Sequence, residues 1–359
     1  MRLRLNAKSA VVLAAAAMLM VGLAIDRHAT LVAYLVAWIA VAAVPIGALG
    51  VLMTSYLVRR AWTERLHSVM TATTAVLPWA GALFIPILIG TSSLYPAATE
   101  HATLPAFKQF YLAPWFVAFR AVCHFAVWYL LAIWLRSAWT DFERMTRSAS
   151  AGLILYVLTV SLAGIDWMES LEPDFHSSIY GLLFLSFVLL NGVAFVVGVG
   201  IWFGLRIGPI RGYSALLLST ILLWAYLHAM QYIVIWSANI PDEVTWYLER
   251  STHGWQYVLV VLAVGQLIVP FFALLNERVR ADRRWLAALC GTTLAMRCCE
   301  AAILIVPPLP HAGPVAVGLM LPAALVFVGG ALWQVFRTAL DRPGRIVNPS
   351  ARSARGAIG

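Results

Sequence analysis

The stretch that decides the fold is "LILYVLTVSLAGIDWMESLEPDFHSSIYGLLFLSFVLLNGVAFVVGVGIW", Leu153–Trp202, in which two long apolar runs flank a short acidic connection. Each run approaches or exceeds the roughly 20 apolar residues that an α-helix needs to cross a bilayer. The connection holds Asp166, Glu169, Glu172 and Asp174, and it contains no Lys or Arg. The stretch therefore predicts two membrane-spanning helices joined by an acidic loop.

The composition extends this prediction to the whole chain. Of the 359 residues, 62% are hydrophobic and 11% are charged, and the mean hydropathy is +0.84. These values lie outside the range of soluble domains and indicate that lipid solvates most of the chain. The four cysteines all fall in apolar runs, which argues against a disulfide scaffold. The net charge of +9 accompanies no nucleic-acid-binding motif, so we interpret it as membrane topology.

Apolar runs of spanning length predict an all-α polytopic membrane protein with about ten transmembrane helices. The first run follows the basic segment "MRLRLNAK" and has a second interpretation as a signal peptide, but its cleavage site is weak, so we expect a retained helix. The ten predicted spans are 9–25, 31–57, 68–90, 114–135, 151–168, 178–205, 213–236, 255–275, 285–306 and 315–336.

The distribution of cations orients these spans. If the spans alternate, 20 of the 25 Lys and Arg residues fall on the side that holds the N-terminus. Only Arg27, Lys108 and Arg250 fall on the other side, and Arg120 and Arg297 lie inside spans. Cytoplasmic loops carry the excess of Lys and Arg, so both termini are expected in the cytoplasm and the acidic connection on the outer face.

The two longest outer connections, 91–113 and 237–254, lie four spans apart. This spacing predicts two four-helix bundles in the same orientation, with the first and last spans at the periphery. The expected division is an N-terminal helix with the first outer loop (1–30), a first bundle (31–177), a second bundle (178–310), a last peripheral helix (311–337) and a basic cytoplasmic tail (338–359).

Ionisable and amide side chains inside the predicted spans are functional candidates, because such groups are costly in hydrocarbon. At a rise of about 1.5 Å per residue, His124 and His228 lie about 15 and 12 Å from the outer ends of their spans. Protonatable groups from several helices are thus expected to converge in the outer half of the bilayer. The candidates are Arg120, His124, Asp166, His228, Gln231, Arg297 and Glu300.

These candidates also have structural interpretations. Arg297 and Glu300 are spaced i,i+3 and form a self-neutralising pair in one interpretation. In another, Asp166 is an interfacial helix cap or a salt-bridge partner of Arg120. As functional groups they suit a quinone headgroup, which needs polar partners for two oxygens and an acid–base group. A b-type haem held by His124 and His228 is a less favoured alternative, and no metal site or catalytic residue is predicted.

Four segments carry a resemblance to a known family. They are "LPWAGALFIPILIG" with the nearby "LYP", "LAGIDWMESLEPDFHSSIYGL", "WAYLHAMQYIVIWSANIPDEVTWYLER" and "GWQYVLVVLAVGQLIVPFFALL". Together they resemble the NrfD-type, or polysulfide-reductase-like, membrane subunits of bacterial alternative complex III, over residues 60–306. The likeness is to the second of the two such subunits in that quinol:electron-acceptor oxidoreductase.

The resemblance implies a ten-helix NrfD-like fold in the bacterial inner membrane and a place in a respiratory complex. The implied partners are a sister NrfD-like subunit, an iron–sulfur subunit and c-type cytochrome subunits. Iron–sulfur centres and haem c are expected in those partners, and this chain is expected to bind no cofactor beyond a quinol ligand. Its role would be quinol binding or proton relay, with electron transport completed elsewhere.

The outer carboxylates have a matching role in this hypothesis. We expect them to form a docking face for an extrinsic subunit, a proton exit, or both; the structural alternative is a solvated acidic rim. The residues are Glu169, Glu172, Asp174, Asp242 and Glu243.

Two other function classes remain open. A secondary transporter also has about ten helices and buried charges, but it favours broken helices at matching positions of its halves. Pro78 and Pro86 in the third span have no evident counterparts in the seventh. An assembly scaffold without a redox role is the third interpretation.

Overall fold

A computed structural model describes residues 7–58, 61–95, 106–138, 141–172, 174–204, 210–309 and 314–341. The regular structure of these residues is helical. The α-helices are α1 (Ala7–Ile25), α2 (Arg27–Val58), α3 (Ala61–Thr74), α4 (Leu77–Ala82), α5 (Ile85–Ile89), α6 (Thr91–Leu94), α7 (Ala106–Tyr111), α8 (Pro114–Ala138), α9 (Phe142–Trp167), α10 (Tyr180–Trp202), α11 (Ile210–Ala238), α12 (Pro241–Glu249), α13 (Trp255–Leu262), α14 (Val269–Leu275), α15 (Glu277–Ala281), α16 (Arg283–Ile305) and α17 (Pro314–Leu340). A 3₁₀ turn follows α9 at Glu169–Leu171, and a π-helical segment, Ala263–Ile268, joins α13 to α14.

The prediction of a polytopic α-helical membrane protein is confirmed. Within the described residues, nine helical segments are long and apolar enough to cross a membrane, and they coincide with the second to tenth predicted spans. The first predicted span is present as α1, whose apolar part, Ser9–Ile25, is shorter than these nine. α1 runs antiparallel to α17, because Gly22 lies against Met320 and Gly330 lies against Val12.

The expected loop between the first two spans is absent. Asp26 alone separates α1 from α2, which begins at Arg27. The Asp26 carboxylate accepts a hydrogen bond from the Ala29 backbone N–H at 2.9 Å, and so caps α2. The predicted basic tail lies outside the described residues from 342 onward, as does the segment 1–6.

Two helices form the centre of the molecule. α2 and α10 have the largest buried fractions among the spans and pack extensively on each other. They cross at Gly47 and Gly192, where a Cβ on either glycine would overlap the backbone of the opposite helix. Small residues permit this close approach, as is usual between membrane helices. α2 also packs on α3 and α9, and α10 makes equivalent contacts with α11 and α16.

The crossing gives a first prediction. Gly47→Ala places a methyl group against the Val188 carbonyl oxygen and is expected to lower the free energy of unfolding by about 1–3 kcal/mol, the usual cost of overpacking. Gly291→Ala in α16 is the matched control, because a Cβ there meets no atom within 4 Å. Detergent-induced unfolding followed by tryptophan fluorescence measures both variants, and equal stability of the two would contradict the crossing.

Prolines divide the third span into short helices, but its backbone remains hydrogen-bonded across the divisions. 3₁₀ turns at 75–76 and 83–84 separate α3, α4 and α5, and the chain bonds across each turn through i→i−3 contacts. Side chains of α2 bind two carbonyls beside these turns: the Trp38 indole donates to Ala80 O at 2.9 Å, and the Tyr34 hydroxyl donates to Leu83 O at 2.7 Å. Such rescue of backbone groups is what permits Pro within the bilayer. α11, the seventh span, is one continuous helix.

Candidate functional site

The candidate site lies toward the end of the molecule at which α9 and α16 end and α10 begins, here called the acidic face. The opposite end, where α8 ends and α9 begins, is called the basic face. Most of the sequence candidates are buried near the acidic face, where they form two separate clusters.

The first group, the Asp166 cluster, consists of Tyr111, Arg120 and Asp166. Asp166 sits one residue before the end of α9 and is buried. Its carboxylate accepts from the Tyr111 hydroxyl at 2.8 Å and from Arg120 Nε at 2.9 Å. Arg120 Nη1 donates to the Tyr111 carbonyl at 2.7 Å, and its guanidinium lies 3.8 Å from the centre of the Tyr111 ring. The charge of Asp166 is therefore fully engaged, as its pairing interpretation predicts.

His124 lies one turn further along α8, on the same face as Arg120. Its ring stacks on Trp128 at 5.9 Å and meets the edge of Trp167 at 6.1 Å. The buried Nδ1 atom has no hydrogen-bond partner among the described residues. His124 therefore lies against an aromatic core, with one ring nitrogen unpaired among the described residues.

The second group, the Glu300 cluster, consists of Trp224, His228, Arg297 and Glu300. Glu300 Oε1 accepts from the Trp224 indole at 2.9 Å and bonds His228 Nε2 at 3.0 Å. Glu300 Oε2 forms an ion pair with Arg297 Nη1. Trp224 and His228 are spaced i,i+4 on α11, whereas Arg297 and Glu300 are spaced i,i+3 on α16. One carboxylate thus binds three different side chains from two helices.

Arg297 is fully buried, and its charge is balanced mainly by Glu300. The guanidinium lies 4.5 Å from the Trp224 ring and 5.7 Å from the Phe187 ring. Its Nε and Nη2 atoms have no hydrogen-bond acceptor within the described part of the chain. Aromatic faces attract a guanidinium, but they leave its N–H donors unused.

A small cavity opens beside Glu300. Its volume is about 10 Å³, and His228, Gln231 and Tyr180 contribute to its polar lining. Both amide atoms of the buried Gln231 lack a partner among the described residues. A cavity of this size holds about one water molecule. In this conformation it is too small for a quinone headgroup.

A third group, the Arg250 cluster, consists of Glu172, Trp246 and Arg250. It closes this cavity toward the acidic face, and it was not predicted from the sequence. Arg250 was counted there as an outer-loop cation, yet only 1% of it is exposed. It donates from Nε to Ile303 O at 3.1 Å and from Nη2 to Leu304 O at 3.0 Å, capping the end of α16. Nη2 also bonds Glu172 at 2.5 Å, and Nη1 donates to Trp246 O at 2.9 Å.

The Arg250 cluster is in contact with the cavity. Trp246 and Leu304 line the cavity, and the Arg250 guanidinium lies 3.8 Å from the Trp246 ring centre. Burial raises the pKa of Glu172 above its ordinary value, and the neighbouring Arg250 offsets part of that shift. A signal for this cluster was present in the sequence, since Arg250 is a lone cation among outer carboxylates.

The other carboxylates of the acidic face differ in exposure. Asp174 and Asp242 are exposed, and Glu243 is half-buried. Glu169 is also half-buried, and its Oε1 accepts from the Ser177 backbone N–H at 3.0 Å. Asp174 and Asp242 are therefore open to solvent, whereas Glu169 and Glu172 bind other groups of the chain.

The candidates inside the spans do not share one site. In the part of the chain that the structure describes, a row of rings extends from the Asp166 cluster to the Glu300 cluster: Trp167 and Phe184 lie 6.1 Å apart, and Phe184 and Phe187 also lie 6.1 Å apart. His124 accompanies the first cluster, whereas His228 and Gln231 accompany the second. Within the described residues, no group of three His, Cys, Asp or Glu side chains could hold a metal ion.

No protein-family model matches the chain, and no curated protein matches it at a significant level. A function for the chain is therefore proposed from its residues and their geometry.

Proposed function

We propose that this chain is a membrane subunit of a quinol-oxidising respiratory complex of the alternative complex III type, and that its Glu300 cluster relays protons. The observation that carries the proposal is a buried carboxylate bound to His228, Trp224 and Arg297 beside a water-sized cavity. Buried protonatable groups on facing membrane helices are typical of proton relays.

The four sequence segments that resemble NrfD-type subunits supply the class of complex. The proposed fold is accordingly NrfD-like, with two four-helix bundles and two peripheral helices. The repeated packing of α2 on α3 and α9, and of α10 on α11 and α16, supports this organisation. The cation bias supports cytoplasmic termini in a bacterial inner membrane, which makes the acidic face periplasmic.

Oxidation of a quinol to the quinone releases two electrons and two protons. The electrons would pass to iron–sulfur centres and haem c of partner subunits. The protons pass to protein groups, and a water in the cavity would connect Gln231 with His228 and Glu300.

Glu172 is the proposed next group toward the periplasm. It lies beyond Trp246 and Leu304, both of which line the cavity, and its side chain is 16% exposed. A raised pKa brings a carboxyl closer to proton exchange near neutral pH. Asp174 and Asp242 then provide an exposed acidic surface for a basic extrinsic partner.

Substitution of His228 tests the relay. His228→Ala is expected to lower quinol-dependent electron transfer by about 100-fold, the lower range for loss of an acid–base group. His253→Ala is the control, because His253 is exposed on the acidic-face loop and bonds only its neighbour Thr252 among the described residues. Turnover is measured on the complex copurified with each tagged variant.

Three results would contradict the proposal. If no redox subunit copurifies with the wild-type chain, the chain is not part of a respiratory complex. If the assembled His228→Ala complex keeps the wild-type turnover, the Glu300 cluster is not a proton relay, and a scaffold role is favoured. Solute uptake by the purified chain alone in liposomes would favour a transporter.

A further inference from the structure

A second and larger cavity is formed by other residues of α10 and α16, together with α2 and α17. Its volume is about 220 Å³, and its walls come from α2, α10, α16 and α17 together with residues beside α3. Asn191 and Cys298 lie on the α10 and α16 walls, each in the interior of its helix. The residues that form the two cavities do not overlap.

The chemistry of the walls favours an apolar ligand. Two polar side chains in the lining, Thr73 and Asn191, each bind their own helix: Thr73 donates to Val69 O at 2.7 Å, and Asn191 donates to Phe187 O at 2.9 Å. The remaining surface consists of aliphatic, aromatic and thiol groups. A cavity of roughly 150 Å³ with such walls accommodates benzene. This one has room for a longer stretch of hydrocarbon chain.

A cation lies beside the basic-face end of the cavity. Phe336 and Trp333 line the cavity, and Phe336 lies four residues before the end of α17. Arg337 follows directly, and its guanidinium lies 4.7 Å from the Phe203 ring, which stacks on Trp333 at 6.3 Å. The Arg337 side chain is 41% exposed and has a loose pair with Asp341 at 3.5 Å.

We propose that this cavity binds one acyl chain of an anionic phospholipid from the basic-face leaflet, with Arg337 holding the phosphate of its headgroup. Basic groups beside clefts between membrane helices attract anionic lipid headgroups. The occupant is a lipid rather than the tail of a quinol, because the half-exposed Arg337 guanidinium suits an anionic phosphate, whereas a quinol headgroup carries no charge. The inference is independent of the proposed function.

Two variants and one control test the proposal by native mass spectrometry of the full chain in detergent. The probes are dioleoyl phosphatidylglycerol and dioleoyl phosphatidylcholine. Gly329→Leu fills the cavity, because Gly329 lines it and a Cβ there has room, with Val41 at 4.0 Å. Arg337→Gln removes the headgroup contact. Gly318→Leu changes the same helix at an exposed position outside the cavity, where a Cβ meets nothing within 4 Å.

The wild type and Gly318→Leu are expected to retain phosphatidylglycerol about five-fold better than phosphatidylcholine. Gly329→Leu should lose both lipids, whereas Arg337→Gln should lose only the preference. Unchanged retention in Gly329→Leu overturns the cavity assignment, and an unchanged preference in Arg337→Gln overturns the headgroup assignment even if Gly329→Leu fails to fold. If Gly329→Leu instead loses a copurified quinone and still retains phosphatidylglycerol, the cavity binds an isoprenoid tail and not a phospholipid.

Discussion

Glu300→Gln is expected to lower the free energy of unfolding by about 3–5 kcal/mol, the usual cost of breaking a buried ion pair. Gln keeps the volume of the side chain and can still accept from Trp224 and His228. It leaves the fully buried Arg297 guanidinium without its counter-charge. The loss therefore measures the cost of a buried charge without a counter-charge, and titration of the purified protein with sodium dodecyl sulfate records it.

A double variant separates the charge from the packing. Arg297→Leu combined with Glu300→Gln removes both charges and should recover most of the lost stability, since apolar replacement of a buried pair is often neutral. Glu143→Gln is the matched control, because the Arg147–Glu143 pair is exposed at both side chains, 78% and 74%. Such surface pairs contribute about 0–1 kcal/mol. If the two single variants are equally stable, the Glu300 cluster is not a buried ion pair.

The spans were predictable from sequence, because hydrocarbon imposes a length and a composition on each crossing segment. Among the described residues, nine predicted spans are present as helical segments of spanning length, and their order along the chain required no tertiary information. The crossing of α2 and α10 was not predictable, since the sequence has 24 glycines and only Gly47 and Gly192 meet at this crossing. Hydropathy likewise predicted α3 to α5 as one helix, whereas Pro78 and Pro86 divide it.

The residues of the candidate site could be predicted from the sequence, but most of the contacts between them could not. The i,i+3 spacing predicted the Arg297–Glu300 pair, and a salt bridge between Arg120 and Asp166 was one of the alternatives that the sequence left open. His228 and Glu300 are 72 residues apart in the sequence and lie on two different helices, so helical periodicity contains no information on their contact. Similar depth had suggested one joint site, but depth does not determine lateral position, and rings separate the two clusters.

Arg250→Met is the second substitution for which we expect a large effect, a loss of about 3–5 kcal/mol in the free energy of unfolding. The change removes the partner of the half-buried Glu172 and the donors to the Ile303, Leu304 and Trp246 carbonyls. Each buried carbonyl left without a donor costs about 1–3 kcal/mol. The positive charge at the end of α16, which favours that helix terminus, is also lost.

Arg250→Lys distinguishes the geometry of the guanidinium from its charge. Lys keeps the charge but cannot reach Glu172 and carbonyls of both α12 and α16 with one compact ammonium, so we expect most of the loss to persist. Hydrogen–deuterium exchange should increase at 241–255 and 300–305, and little in α2. Arg211→Lys is the control, because the Arg211–Glu277 pair is exposed at both side chains. If Arg250→Lys has wild-type stability and exchange, a positive charge at this position is enough to stabilise the fold. The separate hydrogen bonds of the guanidinium to α12, α16 and Glu172 would then not be needed to close the cavity.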